Sequence, residues 1–443
     1  MPSSDKPNIV FFFPDQLRWD WVGYLGRVQV RTPNLDALAE RGVVFTSAIC
    51  PSPVCSPSRA CLAGGVEYTR CNVPDNCASF AGGPDSLYRR LQDSGYHTMA
   101  CGKFDLAKPR HSWGRDGKQR RAEGGSWFDD WGFSDGIDNG GKLDGYAQYL
   151  QGNACPYLTF LEELSLAQVH IDDFAKRRGN TLAVHATGLP DEAYVDTWIG
   201  SNAVKLIDSV PGNKPFFLQI NFSGPHDPWD VTESMQQSCE GIEYPMPLHP
   251  GEAIAADDHN KVRRNFAAMV ENIDRQVGRV VDHLKQRGQY ENTLFIASSD
   301  HGEMLGDRGD WGKCVPWQGS TGVPLLFSGP GVVPGLHLDG PAENLDIAAT
   351  CVDMAGGEIP AGWDSRSMRP VLEGRQDRVR DVAVSALGHW SLATDGRYKL
   401  VRGRHRHDPA RMALYDLVSD PGEMTDCAAE QPDLVTRLAG FLQ

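Results

Sequence analysis

The sequence lacks a basic balance, a long apolar run near its start and any closely paired cysteines. Its 43 Lys and Arg face 58 Asp and Glu, a formal charge of −15. A protein that coats nucleic acid through its phosphates is therefore excluded. The first apolar run, Ile9 to Phe13, stops after five residues at Pro14-Asp15. It is too short for a membrane span or for the apolar core of a secretion signal, so a cytoplasmic location with no membrane association is expected. Eleven cysteines are present, and no two are spaced C-x2-C. That argues against structural zinc, although Cys50, Cys55, Cys61, Cys71 and Cys77 crowd one stretch. Reduced thiols packed as small hydrophobes are expected instead. Internal repeats and low-complexity tracts are absent as well.

What is present is a repeated unit: a short apolar strand, a polar cluster, then often a helix. "NIVFFF" (8–13) ends at Asp15-Gln16, "YHTMAC" at Gly102-Lys103, "KPFFLQINF" (214–222) at "SGPHDP", and "NTLFIASS" (292–299) at "DHGE". Helices are expected over 32–42, 85–95 and 261–287. The last places Phe266, Val270, Ile273, Val277, Val280 and Leu284 on one face, with Gly288 as its stop. This alternation predicts an α/β fold built on a large, mainly parallel sheet flanked by helices. With 443 residues, 47 of them Gly and 29 Pro, the chain suits a large domain over 1–369 and a smaller one over 370–443. The smaller, α+β, is expected to hold antiparallel strands within 381–404 and a helix from about Pro432. Residues 105–190 show few periodic runs and are expected to form an insertion over one face. Its basic stretch "KPRHSWGRDGKQRR" (108–121) is either a solvated loop or a recruiter of anionic substrate.

In parallel sheets ligands gather beyond the carboxyl ends of the strands. Here those ends carry Asp15, Gln16, Lys103, His226, Asp300 and His301. The oxygen-rich pairs at 15–16 and 300–301 suit a hard divalent cation; the plainer reading makes the two aspartates helix caps. Cys55 lies just before Pro57, a good first residue of a helix, where unpaired N–H groups favour negative charge. A thiol there is activated or simply buried. Arg59 lies one turn further, placed to hold an anion.

The stretch "CSPSRACLAGG" (55–65) resembles the C-x-P-S-R signature of the sulfatases, whose cysteine is oxidised after translation to formylglycine. "PNIVFFFPDQ", "GYHTMACGK", "SGPHDP", "SSDHGEMLGDRGDWGK" and "ALYDLVSDPGE" fit the same family in order. The pairs Asp15-Gln16 and Asp300-His301 resemble the branch of choline sulfatases and phosphonate monoester hydrolases. The resemblance implies the alkaline phosphatase superfamily fold. It implies one divalent cation, calcium first and manganese or magnesium next, held by Asp15, Gln16, Asp300, His301 and the modified Cys55. A formylglycine-generating enzyme would act during maturation. Arg59 would support the modified residue, Lys103 and Lys313 clamp the sulfate, His226 bind sulfate or protonate the leaving oxygen, and Asn76 contact substrate. The hydrated aldehyde would attack sulfur through one hydroxyl, and loss of a proton from the other would expel sulfate.

One position departs from the pattern. Where most sulfatases place a histidine two residues after the lysine of "GK", this chain has Asp105. Either Asp105 takes over as the base beside the diol, or it turns away to pair with Lys108 or Arg110. The expected activity is hydrolysis of a small-molecule or saccharide sulfate ester. A phosphonate monoester or phosphodiester hydrolase on the same scaffold is the alternative. An inactive protein that binds sulfated ligands is a further one.

Overall fold

Eight strands form the central sheet of the computed structural model, which describes residues 6–108, 117–121, 124–153, 155–212, 214–405 and 408–442. In spatial order they are Asp135–Asp138, His97–Gly102, Phe216–Asn221, Asn8–Phe12, Thr293–Ser298, Leu325–Ser328, Gly42–Phe45 and Leu336–Leu338. Every pairing is parallel except those of Leu325–Ser328, which runs against both neighbours. The expected α/β architecture is the one observed.

The strands are apolar at nearly every position because helices cover both faces. Their period of two splits the core cleanly. Val10, Phe12, Leu218, Ile220 and Phe295 pack on one side, and Ile9, Phe11, Phe217, Leu294 and Ile296 on the other. The first side is covered by the helix Ala256–Gln286, whose Phe266, Val270, Ile273, Val277, Val280 and Leu284 are buried. Each such side chain contributes about 1.5–3 kcal/mol on burial. This helix begins before the expected 261, since Asp257 and Asp258 in its first turn suit the positive end of the helix dipole. On the second side lie the helices Cys55–Gly64, Leu87–Asp93 and Asp346–Met354.

Residues 105–190 are more regular than their sequence suggests. They hold the helices Trp127–Trp131, Gly141–Leu150, Pro156–Glu163 and Ala167–Arg177, and the edge strand of the central sheet. These helices are 5 to 11 residues long, too short for periodicity to stand out. Of the basic stretch, 109–116 lie outside the described residues. Lys118 and Arg121, nearer its end, pair with Asp135 and Asp130.

A second sheet of four antiparallel strands spans Ala383–Leu387, Trp390–Thr394, Tyr398–His405 and Asp408–Asp416, and the helix Pro432–Ala439 packs on it through Leu438. It braces segments that carry site residues. Ala386 N donates to Pro51 O at 3.1 Å, and Trp390 Nε1 donates to Cys314 O at 3.3 Å. Ahead of it, buried Arg380 reaches Glu343 Oε1 at 2.7 Å and Asp346 Oδ2 at 2.9 Å. Arg380→Ala would leave buried carboxylates without their cation, and we expect a loss of about 3–5 kcal/mol. Urea unfolding at unchanged m-value measures it, and an unchanged midpoint would show the pair to be dispensable. Among the described residues no helix is long and apolar enough to cross a membrane.

Candidate active site

Three parallel strand ends and one helix start converge on a single point. The strand Asn8–Phe12 delivers Asp15 and Gln16, Thr293–Ser298 delivers Asp300 and His301, and His97–Gly102 delivers Lys103 and Asp105. Gly102 is required there: its φ is 96°, and a Cβ would stand 1.9 Å from Asn221 O. Cys55 is the first residue of its helix, two positions ahead of the start expected at Pro57. Pro57 costs nothing in this first turn, where N–H groups have no partner inside the helix. Asn76 Oδ1 accepts from Ser56 N at 3.0 Å, so Asn76 caps the helix that Cys55 opens.

Asp15, Cys55, Asp300 and His301 are fully buried, with ligating atoms all within 4.8 Å of one another. His301 Nδ1 lies 3.0 Å from Gly302 O and serves as donor there, which leaves the Nε2 lone pair facing the cluster. Gln16 sits in left-handed backbone at φ 67°. Its Nε2 donates to Glu303 Oε2 at 2.5 Å, while its Oε1 is buried without a hydrogen-bond partner. An orphaned carbonyl oxygen beside two carboxylates and an imidazole fits a hard divalent cation. Glu303 is held in turn by the N–H groups of Leu305 at 3.0 Å and Gly312 at 2.6 Å.

Two ammoniums and an imidazole surround the thiol. Lys313 Nζ is 2.9 Å and Lys103 Nζ 3.5 Å from Cys55 Sγ, and His301 Nε2 is 3.3 Å away. Burial alone would push the Cys55 thiol up. The ammoniums of Lys103, Lys313 and Lys108, with His301, outweigh it and hold the thiol well below its usual range. Burial and Cys55 likewise push Asp15 up, but Lys103, His226 and Lys313 hold it below the normal carboxylate range. The anions that Arg59 grips are the cluster's own: Asp300 Oδ2 at 3.0 Å and Asp15 Oδ2 at 3.4 Å. Its remaining donors reach Lys103 O at 2.7 Å and Asn221 Oδ1 at 3.1 Å.

Asp105, at φ 51°, is buried. Its Oδ2 is shared by Lys108 at 3.0 Å and Lys103 at 3.2 Å, while its Oδ1 is buried with no hydrogen-bond partner among the described residues. Arg110 lies outside the described residues. Lys103 thus contacts both this carboxylate and Cys55. Burial would raise Asp105, but Lys103 and Lys108 hold it below its ordinary value. Half-buried His226 donates from Nδ1 to Asp227 O at 2.6 Å. Beyond it Asp227, Pro228 and Trp229 line a cleft of about 780 Å³, with Tyr146, Phe174 and Trp311 among its other walls.

Two residues at this site are not marked by the sequence. Glu303 and Asn221 stand inside quoted segments, "DHGE" and "KPFFLQINF", but nothing in spacing marks either as a support for Gln16 or Arg59. Lys108, expected as one of two partners for an Asp105 that turns away, does pair with it.

The family model described as "Sulfatase" matches residues 7–357, and one described as "N-sulphoglucosamine sulphohydrolase, C-terminal" matches residues 306–438. A choline-sulfatase of Rhizobium meliloti (strain 1021) is 27% identical over 456 residues, covering 96% of this chain and 83% of the relative. An N-acetylglucosamine-6-O-sulfatase of Bacteroides thetaiotaomicron is 23% identical over 475 residues, covering 96% and 83%. In fold, the phosphonate monoester hydrolase of Agrobacterium radiobacter superposes with a TM-score of 0.80 at 24% identity, covering 98% of this chain and 94% of the other.

Proposed function

This chain belongs to the sulfatase family and is a sulfate ester hydrolase, and from that premise we propose how its residues divide the work. The observation that carries the proposal is a buried Cys55 at a helix start, ringed by Lys103, Lys313 and His301 and flanked by two carboxylates. Oxidised to formylglycine, residue 55 would supply a hydrated aldehyde as nucleophile. A divalent cation, calcium first and manganese or magnesium next, would be held by Asp15, Gln16, Asp300, His301 and residue 55, and would supply Lewis-acid activation of that nucleophile.

The chain's own groups do the rest. Lys103 and Lys313 meet the sulfate oxygens, where negative charge must be held. Arg59 keeps Asp15 and Asp300 in place, and Asn76 fixes the helix start and contacts substrate. His226, beside the cleft, protonates the oxygen of the departing alcohol. Asp105 accepts the proton whose removal releases sulfate, through the oxygen that has no partner. The aromatic walls of the cleft, interspersed with Asp144, Asn180 and Thr181, suit the apolar faces and hydroxyls of a sugar. A saccharide sulfate is therefore the substrate class proposed, in keeping with the N-acetylglucosamine-6-O-sulfatase relative.

The alternative, a phosphonate monoester or phosphodiester hydrolase, is favoured by one observation, the likeness in fold to such an enzyme. Matched aryl sulfate and aryl phosphonate monoester assays separate the two. The sulfate should have the higher kcat/KM, and the reverse order would install the alternative. For Asp105→Asn, kcat should fall by on the order of 10²-fold or more. A burst of released alcohol should precede slow turnover, and inorganic sulfate should bind at least as well as before. Asp105→His should keep partial activity. A wild-type rate for Asp105→Asn would remove the proton-acceptor role.

A further inference from the structure

The family pattern loses a histidine at position 105, and the structure suggests what replaces its positive charge. Lys108 Nζ lies 3.0 Å from Asp105 Oδ2 and 2.8 Å from Asp144 Oδ2, with its side chain only 14% exposed. The intervening Leu106 and Ala107 are buried, which fixes the reach from Asp105 to Lys108. Asp144 belongs to the helix Gly141–Leu150, and with Leu143, Tyr146 and Ala147 it also lines the cleft. One ammonium therefore joins the reaction centre to the insertion helix that walls the substrate space.

We propose that Lys108 is a positioning residue for Asp105. It neutralises the carboxylate that replaced the histidine, holds Oδ2 so that Oδ1 stays free, and is itself fastened by Asp144. The inference rests on the proton-acceptor reading of Asp105 given above. Without Lys108, Asp105 would keep only Lys103, an ammonium that must also serve Asp15 and the sulfate. The carboxylate would then draw Lys103 away from the anion and repel the anion itself. With Lys108 in place, an acid at position 105 is compatible with an anionic substrate.

A double-mutant cycle separates this role from a merely structural one. Lys108→Gln, Asp105→Asn and the double variant are compared by kcat and by calorimetric affinity for inorganic sulfate. Lys108→Gln should lower kcat by on the order of 10- to 100-fold, as loss of a supporting partner does elsewhere. It should weaken sulfate binding by on the order of 10-fold. In the Asp105→Asn background the same substitution should change neither quantity appreciably, because the charge it offsets is gone. Lys108→Arg should recover most of both, and Asp144→Asn, on a more exposed helix, should reproduce the losses in weaker form. Equal losses in both backgrounds, or a wild-type Lys108→Gln, would overturn the proposal. The base role fails separately, through an Asp105→Asn enzyme of normal rate, and the sulfate-affinity arm still reports on Lys108 in that event.

Discussion

Cys55→Ala is expected to abolish sulfate ester hydrolysis, with kcat/KM falling by on the order of 10⁴-fold or more. The residue opens a ten-residue helix and is fully buried among Lys103, Lys313, His301 and Asp15. On the proposed mechanism alanine there removes the nucleophile while leaving Lys103 and Lys313 to meet the sulfate, so substrate should still bind as turnover disappears. Cys55→Ser is the sharper variant. A serine hydroxyl can attack once, but it has no second hydroxyl through which the ester could collapse. A stoichiometric burst of alcohol followed by arrest is expected. Sustained turnover by either variant would remove residue 55 from the mechanism.

The second large effect concerns the acidic pair. Asp15→Asn or Asp300→Asn should strip the divalent cation and cost on the order of 10³-fold or more in kcat/KM. Elemental analysis should find one divalent ion per chain in the parent and none in either variant. The carboxylates also anchor Lys103 and Arg59, so the two substitutions should lower thermal stability as well. Each would leave a buried cation with one partner fewer. Full activity in a protein that carries no stoichiometric metal would refute this assignment.

How much of this was legible in the sequence differs between the sheet and its surroundings. The strands could be read because each is short, apolar and punctuated by polar residues at its carboxyl end. Those same ends carry Asp15, Lys103 and Asp300, so strand and site were found together. The long helix was legible from its apolar face, and its first turn was missed because that turn is acidic and exposed. The insertion hid its helices for a plainer reason: runs of 5 to 11 residues leave too few turns for a period to emerge.

The individual hydrogen bonds and ion pairs between distant residues were not legible. Arg59 is 241 positions from Asp300, and Arg380 is 37 from Glu343; only the folded chain brings such pairs together. Lys108 shows the limit most clearly. Its spacing from Asp105 made it one of two possible partners, with Arg110, but its second contact, to Asp144, depends on where the fold puts the insertion helix. Asp105 itself was legible as an exception, but its sharing between two lysines was not.

The most direct test of the account is the chemical state of position 55. Trypsin should release residues 42–59 as one peptide, since Arg41 precedes it and Arg59 ends it. The peptide also contains Cys50, which serves as an internal control. In protein produced beside a formylglycine-generating enzyme, mass spectrometry should find Cys50 as a thiol and position 55 as an aldehyde or its hydrate. The fraction converted should track sulfatase activity across preparations. An intact thiol at position 55 in fully active protein would contradict the account.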